Sequence, residues 1–326
     1  MEPPEPEPEI KNMTSEAPDS EPTGDIPETT LLLRAIPKAL HPYARLARLD
    51  RPIGTWLLLF PCWWSLALAA PAPHPDWPLE QFALYAVLFA IGALVMRGAG
   101  CTYNDIIDRD FDAQVARTRA RPIPSGAVTV KGAVVFLCLQ LLLGLGVLIT
   151  FNGFTIGLGI ASLALIFAYP FMKRITHWPQ AFLGLTFNWG ALLGYAAITN
   201  ELAMPAYLLY AAGFFWTLGY DTIYAHQDRN DDLIAGIKSL ALRLDANTKR
   251  WLVGFYGMSL ALLATAGHAA NLHWAFYVIG ALALIQLLWQ VLDIHTESPG
   301  DCLRKFKSNR LFGWLVLAAL IAGQVF

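Results

Sequence analysis

Two stretches of the chain concentrate carboxylates just where an apolar segment of membrane length ends. One is Asn104-Asp105-Ile106-Ile107-Asp108-Arg109-Asp110-Phe111-Asp112. The other runs from Asp221 through Tyr224, His226, Asp228 and Arg229 to Asp231 and Asp232. At about 100° per residue, Asn104, Asp108 and Asp112 share one helix face, and Asp221, Asp228 and Asp232 fall within a still narrower arc. Two such faces opposed across a cavity make a set of hard oxygen ligands suited to Mg²⁺, which keeps some waters and bridges to phosphate. Carboxylates at the mouth of an apolar bundle are costly, and their occurrence twice argues against the plainer reading as solvated acidic loops.

Cations flank both stretches. Arg117, Arg119 and Arg121 follow the first, Lys238 follows the second, and Lys173 and Arg174 end an apolar run that also carries Tyr169. Metal-binding carboxylates beside several cations describe a phosphate site. Snorkelling and topology setting account for most such cations in general, but Arg97 sits inside an apolar segment, where a charge is expected to face a cavity. A charged head site over an apolar interior suits a lipid diphosphate. Residues alone leave two chemistries open: departure of diphosphate from an allylic carbon, or attack of water on phosphorus. The acids have no evident Ser or His nucleophile set beside them, and His226 reads as a polar wall residue.

The elements that must hold these groups are membrane spans. The 326 residues are 15% charged, with a net charge of -2 and a mean hydropathy of +0.44, a membrane-protein composition. Apolar spans are expected near 53–70, 82–99, 127–150, 154–171, 179–198, 203–223, 248–268, 274–294 and 311–326. The expected fold is therefore all-α, a polytopic bundle of nine transmembrane helices. Residues 71–81, 151–153, 200–202 and 269–273 contain no Lys or Arg, whereas the intervening connections are basic. The positive-inside rule puts the N-terminus and both acidic stretches on the cytoplasmic side, so the central cavity opens there. The two motifs also hint at an internal repeat.

Residues 1–30 carry nine acids, one base (Lys11) and many prolines, so the chain divides into a disordered acidic tail, 1–39, and a membrane domain, 40–326. The tail has no apolar run for a secretory signal and lacks the arginines of a mitochondrial leader, which favours a bacterial inner membrane over a mitochondrial one. Cys62, Cys101, Cys138 and Cys302 are scattered, with no pattern for zinc or disulfides, and read as packing residues.

The motifs resemble those of the UbiA superfamily of intramembrane aromatic prenyltransferases. Asn104-Asp105-x-x-Asp108-x-x-x-Asp112 is similar to its first Asp-rich signature, and Asp221-x-x-Tyr224-x-x-x-Asp228-x-x-x-Asp232 to its second. The stretches around Arg51-Pro52-Ile53-Gly54, Met96-Arg97-Gly98, Arg117 to Gly126, Tyr169 to Arg174 and Gly236 to Ser239 resemble the 4-hydroxybenzoate polyprenyltransferase subgroup. The likeness covers roughly residues 40–326.

The resemblance implies transfer of a polyprenyl group from its diphosphate to the ring carbon ortho to the hydroxyl of 4-hydroxybenzoate, with Mg²⁺ as the cofactor and both substrates meeting at the lipid. It implies metal ligation by Asn104, Asp105, Asp108, Asp112, Asp228 and Asp232. Catalytic roles fall to Asp221, Asp228 and Arg174, one of the carboxylates taking the phenol proton. Substrate contacts are expected from Arg51, Arg97, Arg117, Arg121, Tyr169, Lys173, Asn188, Tyr224 and Lys238, with Phe187 and Trp189 lining the path of the cation. For Asn188 an interhelical hydrogen bond is an equal alternative. Two other readings stand beside this one: another aromatic acceptor, or a cation transporter, which would place its acids near mid-span.

Overall fold

The computed structural model describes residues 31–69, 79–114, 118–229, 232, 233, 236 and 238–325. Among these, helix is the only regular secondary structure. After α1 (Leu31–Ala35) and α2 (His41–Leu46) come α3 (Ile53–Ala69), α4 (Leu79–Asp112), α5 (Val130–Leu148), α6 (Gly153–Ile175), α7 (Pro179–Phe187), α8 (Gly190–Thr199), α9 (Met204–Ala225), α10 (Leu240–Leu244), α11 (Thr248–Ala269), α12 (Ala275–Asp293) and α13 (Pro299–Val325). Most of the expected tail lies outside the described residues; within its last part, Leu33 of α1 is only 1% exposed.

Seven helical segments are long and apolar enough to cross a membrane: α4, α5, α6, the α7–α8 stretch Pro179–Thr199, the α10–α11 stretch Leu240–Ala269, α12 and α13. The expected spans at 53–70 and 203–223 correspond to α3, a shorter apolar helix of 17 residues, and to α9, which lies outside those seven. In α5 only Ala133 and Gln140 are buried. Val134, Val135, Leu139 and Leu143 are exposed and off the cavity wall, as a lipid-facing helix face requires, while Leu141, Leu145 and Leu148 line the cavity.

Helix starts follow local chemistry. Thr129 caps α5 by accepting from the Gly132 amide, and Asn152 caps α6 by accepting from Thr155. Asn152 also donates to the Ala196 carbonyl at 2.8 Å, tying α6 to the end of α8. The span expected at 179–198 is interrupted between α7 and α8. There the Asn188 side chain donates to the Gly184 carbonyl, competing with the backbone ladder, and the Asn188 amide reaches the same oxygen at 3.3 Å. Gly190 and Gly194 then lie so close to Cys62 and Ser65 of α3 that no side chain fits between them.

The core is aromatic. Trp64, Trp216, Phe60, Phe312, Tyr220 and Tyr256 are buried where α3, α9, α11 and α13 meet. Each polar tip finds a partner: Trp64 donates to the Gly313 carbonyl at 2.9 Å, Trp216 to Asn309 at 2.8 Å and Tyr256 to Gln290 at 2.7 Å. This block leaves room beside α4, α5 and α6 for a cavity.

Candidate functional site

The cavity has a volume of about 1290 Å³ and two kinds of wall. Around the ends of α4 and α9 it is polar, lined by Arg48, Asp50, Arg51, Asn104, Asp105, Arg121, Asp221 and Tyr224, with Lys307 and Arg310 of α13. Beyond Arg97 and Tyr169 the wall is apolar, made by α3, α4, α5, α6 and α8 down to Leu88, Phe89 and Phe151.

The charged end is built on α4, which continues unbroken to Asp112, so the first acidic stretch forms its last turns as the spacing predicts. Asp105 and Asp108 are each 1% exposed and Asp112 8%. Carboxylates so buried must be matched by cations. Arg48 donates to both oxygens of Asp105, at 2.8 and 2.9 Å. Arg121 bridges Asp105 at 3.3 Å and Asp112 at 2.7 Å. Lys173 pairs with Asp108, and Arg174 reaches the same carboxylate at 3.1 Å. Lys173 and Arg174 stand in the last turn of α6, where the helix dipole favours positive charge. Arg174 also lies over the Phe111 ring, 4.7 Å from its centroid.

Arg48 is placed by its backbone. Its φ of 56° is left-handed, ending α2 and turning the side chain back onto α4, with a further bond from the guanidinium to the Arg45 carbonyl at 2.9 Å. Burial alone lowers the Arg48 pKa, and the facing Asp105 carboxylate outweighs it, so the guanidinium stays above its ordinary value.

Arg97 projects from α4 into the cavity wall. Its guanidinium sits 5.4 Å from the centroid of the Phe187 ring, and its Nε is buried without a hydrogen-bond partner. A Cβ at Gly54 would collide with that Nε, so the glycine at the start of α3 is what admits the arginine. Arg51 donates from Nε to Asp50 at 3.2 Å. Tyr169, Phe187 and Trp189 all line the cavity, and the indole of Trp189 is anchored on the Leu158 carbonyl at 2.9 Å.

The second acidic stretch departs from its expected geometry. Helix α9 ends at Ala225 and gives way to a 3₁₀ turn, His226–Asp228, so the periodicity that would stack Asp221, Asp228 and Asp232 is lost after one turn. Among the described residues of this stretch, Asp221 and Tyr224 line the cavity, and Asp228 and Asp232 stand outside its wall. His226 is buried within 3.1 Å of the Thr248 hydroxyl and does not line the cavity, so it is a packed polar residue and not the wall residue expected.

Three further residues differ from expectation. Asn188 is 1% exposed and away from the cavity, its amide donating to Thr217 at 2.8 Å and to Gly184: the interhelical alternative holds. Lys238 is turned to the Ile175 carbonyl at 3.1 Å, off the cavity wall. Arg117 lies outside the described residues. Conversely, sequence reasoning passed over Arg48, Asp50, Lys307 and Arg310. The run Arg48-Leu49-Asp50-Arg51, charged just ahead of a span, is the signal from which the first two could have been found.

The donor chemistry at the charged end suits magnesium. Asn104 and Asp105 face the cavity, Asp108 and Asp112 follow on the same helix, and Asp221 adds a carboxylate from α9, all of them hard oxygen donors. Among the described residues no three His, Cys, Asp or Glu side chains converge on one point; Asp105, Asp108 and Asp112 are matched by arginine and lysine instead.

Comparison with known proteins agrees with this geometry. The model of the UbiA prenyltransferase family matches residues 58–316. The chain is 51% identical over 293 residues to the mitochondrial 4-hydroxybenzoate polyprenyltransferase of Arabidopsis thaliana, covering 89% of this chain and 70% of that one. It is 48% identical over 292 residues to 4-hydroxybenzoate geranyltransferase 1 of Lithospermum erythrorhizon, covering 89% and 93%. Its fold matches that of a UbiA homolog from Archaeoglobus fulgidus bound to GPP and Mg²⁺ with a TM-score of 0.65, at 20% identity, covering 86% and 98%.

Proposed function

The chain belongs to the UbiA prenyltransferase family, and we propose that it transfers a polyprenyl group from polyprenyl diphosphate to the ring carbon of 4-hydroxybenzoate ortho to the hydroxyl, the prenylation step of ubiquinone synthesis. The observation that carries this reading is the cavity itself. Acids and cations meet at one end, and an apolar channel leads away from them.

The head group of the donor lies at the charged end and its tail in the channel. Asn104, Asp105, Asp108 and Asp112 of α4 would hold magnesium on one side, and Asp228 and Asp232, which stand outside the wall, would turn in toward it from the segment after α9. When bound, Mg²⁺ supplies charge neutralisation of the departing diphosphate. Arg121, Lys173 and Arg174, now matched to carboxylates, turn to phosphate oxygens when the donor arrives. The allylic C–O bond breaks and its electron pair leaves with the diphosphate. Phe187, Trp189 and Tyr169 present π faces to the allylic cation in a wall that excludes water. Asp221, in the cavity wall, takes the phenol proton, and its loss makes the ring electron-rich. The ring carbon then forms the new C–C bond, and the proton that this carbon sheds passes to the phenolate oxygen and restores the phenol, so that the one proton released overall is the one on Asp221. Arg51 and Arg97 orient the acceptor, with Tyr224 beside them.

Nine spans accommodate this site: the seven segments of sufficient length and hydropathy plus α3 and α9. The basic connections support placing the charged end in the cytoplasm, and residues 40–326 act as one catalytic domain. We place the protein in a bacterial inner membrane. The mitochondrial inner membrane is the alternative, and fractionation of the native host decides between them.

The test is turnover in membranes containing the protein, given radiolabelled 4-hydroxybenzoate, geranyl or longer diphosphates and Mg²⁺. Label entering the lipid phase, with ortho substitution by NMR, is the expected result. Diphosphate release without label transfer would reject this acceptor.

A further inference from the structure

The apolar channel has a definite floor. Phe89 of α4 and Phe151, just after α5, stack with centroids 4.8 Å apart and planes inclined by 27°, and Tyr85 meets Phe151 edge-on at 5.1 Å. Both phenylalanines are 7% exposed and both line the cavity, while their far sides belong to a packed cluster with Leu59, Cys62, Leu66 and Ala197. The channel therefore ends on a braced aromatic pair.

Its depth follows from the helix that forms one wall. Asn104 and Phe89 are 15 residues apart on α4, a rise of about 22 Å. Three backbone bonds span about 3.8 Å, so a four-bond isoprene repeat spans about 5 Å when extended. With the diphosphate at the level of Asn104, the channel holds about four isoprene units.

We propose that the Phe89–Phe151 pair is the depth stop of the donor channel and sets how many isoprene units this chain binds in contact with protein. The proposal rests on the prenyl-transfer reading above. Up to four units, each added unit exchanges water for channel wall and raises kcat/KM. Units beyond the stop leave the channel for lipid and add little.

Gly92 supplies an adjustable position. It lines the cavity one turn above Phe89, and a Cβ there would meet only Val147, at an ordinary 3.6 Å. A leucine at 92, whose Cβ the backbone admits, thus raises the floor by about one isoprene.

The experiment measures kcat/KM for donors of two to six isoprene units in full-length protein in lipid nanodiscs, with melting temperatures as a folding control. Wild type is expected to rise to four units and then level. Gly92→Leu is expected to level at three, losing about tenfold or more of the gain from the fourth unit. Phe151→Ala is expected to keep rising to five. Transfer by both variants with the wild-type length profile would overturn the depth stop. Should Phe151→Ala fail to fold, an unchanged profile in Gly92→Leu alone would do so. No transfer from any donor by any of the proteins would instead count against the prenyl-transfer reading.

Discussion

Arg48 and Asp105, 57 residues apart in the chain, form a two-point ion pair at 2.8 and 2.9 Å with the carboxylate only 1% exposed. The pair joins the segment ahead of the first span to the acidic face of α4, so the charged end and the α2–α3 corner are one unit. Removing the guanidinium alone leaves a buried carboxylate facing the longer contact with Arg121, at 3.3 Å. Arg48→Met should cost about 3–5 kcal/mol of stability. The double variant Arg48→Met, Asp105→Leu should recover much of it while remaining inactive. Chemical denaturation of the three proteins in detergent checks both statements.

The contact between Gly54 and Arg97 makes a second prediction. A methyl group at 54 would strike the Arg97 Nε and force the guanidinium from its place over Phe187. Gly54→Ala should lower kcat/KM by about a hundredfold, the scale of a one-ångström misplacement. Melting temperature should change little, because the arginine can move into the cavity. Steady-state kinetics beside a thermal melt separates the two effects.

Asn188 should behave as a structural residue. Its amide joins α7 to Thr217 of α9 in a buried setting. Asn188→Ala should destabilise the protein by about 1–3 kcal/mol and leave KM for the aromatic acceptor unchanged. A raised acceptor KM at unchanged stability would assign it to the site after all.

Much of this site was legible because its chemistry is periodic. Asn104, Asp108 and Asp112 read as one face since α4 keeps its helix to Asp112, and Arg97 read as a cavity residue because a lone charge inside an apolar run has few other roles. The second acidic stretch misled for the opposite reason: its spacing assumed a helix that stops at Ala225, where a 3₁₀ turn resets the direction of every later side chain. Arg48 was hidden because its role depends on a left-handed backbone at a non-glycine residue. Asn188 offered two readings that only the position of Thr217 separates. The Phe89–Phe151 floor pairs residues on different elements, and no local pattern marks such a contact.

The account stands or falls on metal-assisted departure of diphosphate at the charged end. The most direct measurement follows release of diphosphate and transfer of labelled 4-hydroxybenzoate together, in wild type, Asp108→Ala and Asp228→Ala, with Mg²⁺ or with EDTA. The account predicts both signals in wild type with Mg²⁺ and neither with EDTA, and near-complete loss of both in each variant with the protein still folded in the membrane. Near-normal turnover in either variant, or turnover that survives EDTA, would contradict it.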